Sequence, residues 1–217
     1  MSQVVATFEK VSRETYERYI INSSLPRDAF VAYEDIKLPT RATKRSAGYD
    51  FYSPVEFDYM RDSVDIDVYK DSKRAFHVNG YREVVIFQNQ RHIFLPTFVK
   101  CNMKISEKDD RDWVLLIMPK CGDAMKTGIR LTNTIGVIDA DYYNNPDNEG
   151  HIQLDITYGH PLTQYNYDKE NQVTDAFEIH VQKNQKLVQG IFTEYGIATN
   201  GNLEYDRKGG FGSTGII

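Results

Sequence analysis

From Val31 onward the chain repeats one device, a short apolar or alternating run followed by a cluster of turn formers. The runs fall at 55–59, 64–69, 83–88, 92–105, 113–118, 135–139, 151–158, 176–182 and 186–194. Most are too short for an ordinary helix, and strand geometry places alternate side chains on opposite faces. Val64-Asp65-Ile66-Asp67-Val68 alternates strictly, as a strand with one wet face does. The 15 tyrosines and 11 phenylalanines suit a pleated, half-buried surface and strengthen the β assignment. The pattern predicts an all-β sandwich or barrel. One segment differs: Phe8, Val11, Thr15/Tyr16, Tyr19 and Ile20 recur near the helical period before Asn22-Ser23-Ser24-Leu25-Pro26 ends it. This spacing predicts a short amphipathic helix over 7–21.

With 217 residues and 41% hydrophobic content, the chain buries one core, so one elaborated domain is expected. It contains no run of about 18 apolar residues, and Met1-Ser2-Gln3 opens no signal-peptide pattern, which predicts a cytoplasmic protein without a membrane partner. Cys101 and Cys121 lie outside any CxxC or Cys/His arrangement, so neither zinc nor a disulfide framework is expected. The net charge of −5 argues against a general nucleic-acid binder. Any anionic ligand must then be met by local cations.

Three segments have the composition for such a ligand. Near the end of the sequence, Arg207-Lys208-Gly209-Gly210-Phe211-Gly212-Ser213-Thr214-Gly215 combines cations, hydroxyls, glycines and one aromatic face. Leu38-Pro39-Thr40-Arg41-Ala42-Thr43-Lys44-Arg45-Ser46-Ala47-Gly48-Tyr49-Asp50 and Asn133-Thr134-Ile135-Gly136-Val137-Ile138-Asp139-Ala140-Asp141-Tyr142 precede them in that order. Together these blocks resemble the first, third and fifth motifs of the trimeric dUTPase family, over a stretch from about Leu38 to the end. The run Tyr143–His151 resembles the branch of Gram-positive bacteria and their phages.

The resemblance implies a distorted jelly roll in a homotrimer, with dUTP as substrate, dUMP and pyrophosphate as products, and Mg2+ as cofactor. It assigns Asp139 to activating the attacking water and Tyr142 to packing under deoxyribose. Asn133 and the backbone at Gly136 would form a hairpin that reads uracil, and Asp50 would hold Mg2+ through water. Gln189, in a fourth motif weakened by Asn184-Gln185-Lys186 where Gly-Asp-Arg is usual, would contact phosphate. Arg207, Ser213 and Thr214 would grip the γ phosphate while Phe211 covers the base. Within the single domain, 1–34 reads as an N-terminal extension, about 58–91 as an inserted β-hairpin or arm, and 205–217 as a C-terminal arm. A second polar elaboration spans 159–175. These added surfaces suit a regulatory or defence protein as partner.

The second motif departs most. Pro119-Lys120-Cys121-Gly122-Asp123 stands where the family usually places Pro-Arg-Ser. Cys121 takes the position of the serine that donates to the α–β bridging oxygen, and a thiol is a weaker, longer donor. Lys120 keeps charge but loses arginine's planar fork, and Gly122 continues the phosphate-facing turn. The resemblance therefore implies a dUTP diphosphatase. A nucleotide-binding relative with weakened turnover, acting on a regulator, is the alternative, and a dCTP deaminase ranks third because the third block and the tail fit a hydrolase better.

Overall fold

The computed structural model describes residues 4–23, 25–61, 73–77, 83–88, 93–103, 111–120, 122, 128–158 and 177–198, with backbone alone at 58–61, 73–77, 83–88, 158 and 177–180. The elements are β1 (Thr7–Lys10), α1 (Arg13–Asn22), β2 (Thr40–Arg41), β3 (Tyr49–Tyr52), β4 (Phe57–Arg61), β5 (Lys73–His77), β6 (Glu83–Gln88), β7 (Ile93–Asn102), β8 (Trp113–Pro119), β9 (Ile129–Leu131), β10 (Gly136–Ile138), β11 (Ile152–Tyr158), β12 (Phe177–Val181) and β13 (Lys186–Glu194). Two antiparallel sheets, ordered β1-β7-β11-β9 and β10-β8-β13-β3-β2, account for most of them. Phe51, Leu95, Phe98, Leu115, Ile117, Ile152 and Val188 are at most 1% exposed and form the core that the apolar faces build. The expected β class is borne out, with one short helix.

The helix starts later than its periodicity suggests. Residues 7–10 are strand β1, paired antiparallel to β7 with Phe8 opposite Cys101, and the helix begins only at Arg13. Ser12 is extended (φ −60°, ψ 155°) and its hydroxyl accepts from the Thr15 N–H at 3.1 Å, so the cap fixes the boundary. Phe8 mimicked a helical repeat but packs edge-on to Tyr49 and Phe51, with ring centroids 5.3 and 5.6 Å away. Tertiary packing thus overrode the apparent period.

β7 contains a proline, which cannot donate to a ladder and is normally confined to sheet edges or bulges. Here the register with β11 shifts between Ile152 and Gln153, whose partners are Val99 and Pro96. Phe98 is forced into the left-handed region at φ 55° while wholly buried. Such a conformation costs about 1–3 kcal/mol, whereas burying a phenylalanine contributes about 1.5–3 kcal/mol. The freed Phe98 N–H donates to His151 Nε2 at 2.9 Å, and the two rings stack at 5.3 Å. Packing and this bond therefore carry the strain. Burial pushes the His151 pKa down to about 4, so the imidazole stays neutral and able to accept.

The segment expected as an inserted arm contributes strands to a third sheet, ordered β12-β4-β6-β5. β5 and β6 are antiparallel, as in a hairpin, but β4 runs parallel to β6 and β12 closes the other side. Within the sheet, β4, β5 and β6 come from this segment and β12, from later in the chain, pairs with its first strand. The strictly alternating run 64–69, the loop 159–175 and the arm 205–217 lie outside the described residues.

Candidate functional site

The second sheet gathers pieces of separate motifs by register. Asp50 on β3 pairs with Gln189 on β13 and Thr40 on β2, while Gln189 pairs on its other side with Met118 on β8. One residue along, Gly136, Ile117, Gly190 and Tyr49 form the adjacent row across β10, β8, β13 and β3. At about 4.8 Å between strands, β10 and β3 lie roughly 14 Å apart. Residues from the first, third and fourth motifs therefore share one region of one sheet.

Asp50 is 5% exposed, and Lys186 Nζ lies 2.6 Å from its Oδ2. That approach does not have the alignment of a hydrogen bond, so Oδ2 is a buried oxygen compensated by charge alone. Gln189 is placed by a neighbour with no side chain. A Cβ at Gly48 would stand 2.8 Å from Gln189 Oε1, so the amide occupies the notch glycine leaves. Among the described residues, no group of three or more His, Cys, Asp or Glu side chains gathers to cage a metal. A single carboxylate with an unaligned oxygen fits a cation held through water.

Asn133 and Gly136 flank a turn that differs from the hairpin expected of it. β9 pairs with β11 in the first sheet and β10 with β8 in the second, so Thr132–Ile135 crosses between sheets instead of joining paired strands. Thr134 takes φ 67° to make the crossing, and the Ile135 N–H donates to the Asn133 carbonyl at 2.7 Å. Asn133 is exposed at this turn. A Cβ at Gly136 would make only ordinary contact with Ile117 Cβ at 3.5 Å, so the fold does not itself demand glycine there. Gly190 is the opposite case, since a Cβ there would meet Leu115 and Phe51 side chains at 2.8 and 2.9 Å.

Asp139 follows β10 directly, half-buried at the start of a single 3-10 turn, Ala140–Tyr142. Tyr142 ends that turn at 4% exposure. Its hydroxyl donates to the His151 carbonyl at 3.0 Å and accepts from Asn148 Nδ2 at 2.8 Å. The tyrosine thereby anchors the following loop, where Gly150 (φ 76°) leaves space that a Cβ 2.5 Å from the Tyr142 carbonyl would fill. Tyr195, just beyond β13, faces the same corner. Burial first, then the nearby Asp112, Asp139 and Asp141 carboxylates, hold its phenol above the usual range.

Lys120 is half-buried at the end of β8 and Gly122 is exposed with open space around its Cα. Cys121, Arg207, Phe211, Ser213 and Thr214 lie outside the described residues. Sequence reasoning left Gly48, Lys186, Glu149 and Tyr195 without roles. Lys186 and Gly48 acquire them only through the β3–β13 register, which local pattern does not encode. Glu149 carried a faint signal, being an acidic residue before glycine in a turn-rich stretch.

No family model matches the chain. The deoxyuridine 5'-triphosphate nucleotidohydrolase of Lactococcus lactis subsp. lactis is 30% identical over 182 residues, covering 83% of this chain and 89% of that protein. Among solved structures, the dUTPase from Streptococcus mutans superposes with a TM-score of 0.50 at 23% identity, covering 89% of this chain and 98% of that one. The dUTPase from phage phi11 of S. aureus gives a TM-score of 0.49 at 15% identity, over 92% and 96%. The Lactococcus relationship reaches 30% identity and spans most of both chains, so this chain belongs to the dUTPase family.

Proposed function

We propose that this chain hydrolyses dUTP to dUMP and pyrophosphate in a Mg2+-dependent reaction. The observation that carries the reading is the register of the second sheet, which sets Asp50, Gln189 and the Gly136 turn in adjacent rows. Asp139, at the exit of β10, takes the proton from the water that attacks the α phosphorus. Asn133 and the backbone at Gly136 read the uracil edge, and a cytosine amino group there leaves an unmatched polar group costing about 1–3 kcal/mol. Tyr142 lies beneath the sugar, and its buried hydroxyl keeps the ring fixed.

Asp50 would hold Mg2+ through water, and the cation would neutralise charge on the triphosphate. Gln189 contacts phosphate from the notch over Gly48. Lys120, the position of Cys121 and the backbone at Gly122 stabilise charge on the leaving pyrophosphate. Arg207, Ser213 and Thr214 grip the γ phosphate, and Phe211 caps the base. Ile135 and Val137, 45% and 58% exposed beside the Asp139 corner, suit subunit packing in a homotrimer with shared sites. The test is magnesium-dependent pyrophosphate release from dUTP beside dCTP, dTTP and UTP. We expect turnover with dUTP only and its loss in Asp139→Asn; no turnover at high enzyme concentration would sink the reading.

The second motif motivates one alternative, a relative that binds nucleotide and docks on a regulatory or defence protein while turning over slowly. In that case Cys121→Ser with Lys120→Arg raises the rate. Loss of one transition-state donor commonly costs about 10²–10³ in rate, so the gain should be easy to see. Reversions without effect would remove the basis for this alternative.

A further inference from the structure

Lys186 stands where the fourth motif's arginine is expected, and its ammonium meets the one carboxylate that the proposed chemistry reserves for a cation. Asp50 is buried by its neighbours β2 and β13, with a side-chain exposure of 7%, whereas the Lys186 side chain is 39% exposed. The carboxylate is therefore fixed while the ammonium has room to withdraw. The contact is close but unaligned, so charge supplies the attraction and hydrogen-bond geometry adds little. A lysine ammonium is a compact point charge on a flexible four-carbon stem, suited to leaving in a way a bidentate guanidinium is not.

We propose that Lys186 is a built-in counter-ion for Asp50 that competes with the divalent cation. This inference rests on the reading of Asp50 as the magnesium carboxylate. In the metal-free protein the ammonium neutralises the buried charge; when Mg2+ arrives with its waters, Lys186 swings outward toward the anionic ligand. The two cations exclude each other at Asp50, so each weakens the other's hold by the same factor. Lys186 thus sets the magnesium concentration at which the site fills.

The experiment is thermal melting of the full chain without nucleotide, in EDTA and across a MgCl2 series, for the wild type, Lys186→Met, Lys186→Arg and Asp50→Asn. Lys186→Met should melt lower in EDTA, regain more on adding MgCl2, and reach half its rise at about fivefold less Mg2+ or better, the low end of ordinary coupling between sites. Lys186→Arg should need at least as much Mg2+ as the wild type. Asp50→Asn should abolish the difference. Identical MgCl2 curves for the wild type and Lys186→Met, or a difference that survives Asp50→Asn, would overturn the competition. Because no dUTP enters, absence of turnover with these shifts intact would count against the hydrolase reading alone.

Discussion

Glu149 and Asp50 are both partly or wholly buried carboxylates beside a lysine, yet the protein treats them in opposite ways. The Glu149 side chain is 29% exposed and Asp50 only 7%, so burial alone would make Asp50 the more demanding group to satisfy. Glu149 nevertheless has the better partners: the Ser12 N–H at 2.9 Å, the Ser12 and Thr15 hydroxyls, and Lys100 at 3.6 Å. Burial pushes its pKa up, but those donors more than offset it and leave the value lowered to about 2. At Asp50 Oδ2, the partner among the described residues is an unaligned ammonium. A carboxylate that fastens the fold has its oxygens filled by fixed donors. Under the proposed reading, Asp50 is the contrasting case, a carboxylate positioned by the sheet with Oδ2 left for a ligand.

Acid should expose the difference most strongly. The Glu149 pKa falls from 4.5 to about 2 on folding, so its contribution is complete above pH 4.5 and is lost as pH falls toward 2. His151 falls from 6.5 to about 4, so the unfolded chain takes up a proton first and stability declines between those values. Each window has a limiting slope of about 1.4 kcal/mol per pH unit. Urea midpoints measured from pH 7 to pH 3 should show both declines. Glu149→Gln should flatten the lower one, and a lower window unchanged in that variant would mean that another group titrates there.

Removing the latch at neutral pH should have the next largest effect. Glu149→Ala deprives the first turn of α1 of its acceptor and detaches the helix from the loop after Tyr142. Charged hydrogen bonds and a helix cap together put the loss at about 2–3 kcal/mol. For a chain of this size that is about 5–10 °C in melting temperature by calorimetry. Asp50→Asn in EDTA should cost less than about 1 kcal/mol, as expected for a pair whose lysine is solvated. Equal losses would erase the distinction between a structural and a reserved carboxylate.

What the sequence made legible follows the same division. Lys186–Glu194 and Glu83–Gln88 match their strands end to end, because apolar patterning between turn residues is a local property. β1 was hidden, since Phe8 and Val11 share a spacing that serves a helix or a strand leading into one. Tyr49–Tyr52 and Ile129–Leu131 were also not anticipated, being short strands inside segments distinguished by other features. Asp139 and Asn133 could be named from a contiguous block. The Glu149 latch spans 137 residues to Ser12, and the Asp50–Lys186 contact requires knowing that β3 pairs with β13. Long-range register is decided by the whole core, and no window of sequence contains it.

The smallest expected effect concerns the residue that makes room rather than contact. A Cβ at Gly48 would come 2.8 Å from Gln189 Oε1, the free end of a side chain that can yield. Gly48→Ala should therefore leave the unfolding free energy within about 0.5 kcal/mol of wild type or slightly raise it, since alanine restricts the unfolded chain. The displaced amide should lower kcat/KM for dUTP by roughly tenfold or less, because misplacing a substrate-positioning group by about 1 Å can cost 10²-fold and this shift is smaller. Gln189→Ala supplies the limit: in its background, Gly48→Ala should have no further effect. An undiminished kcat/KM in the single variant, or additive losses in the double one, would mean that the notch is packing without consequence for the site. In that case precise placement in this sheet would belong to Asp50 alone.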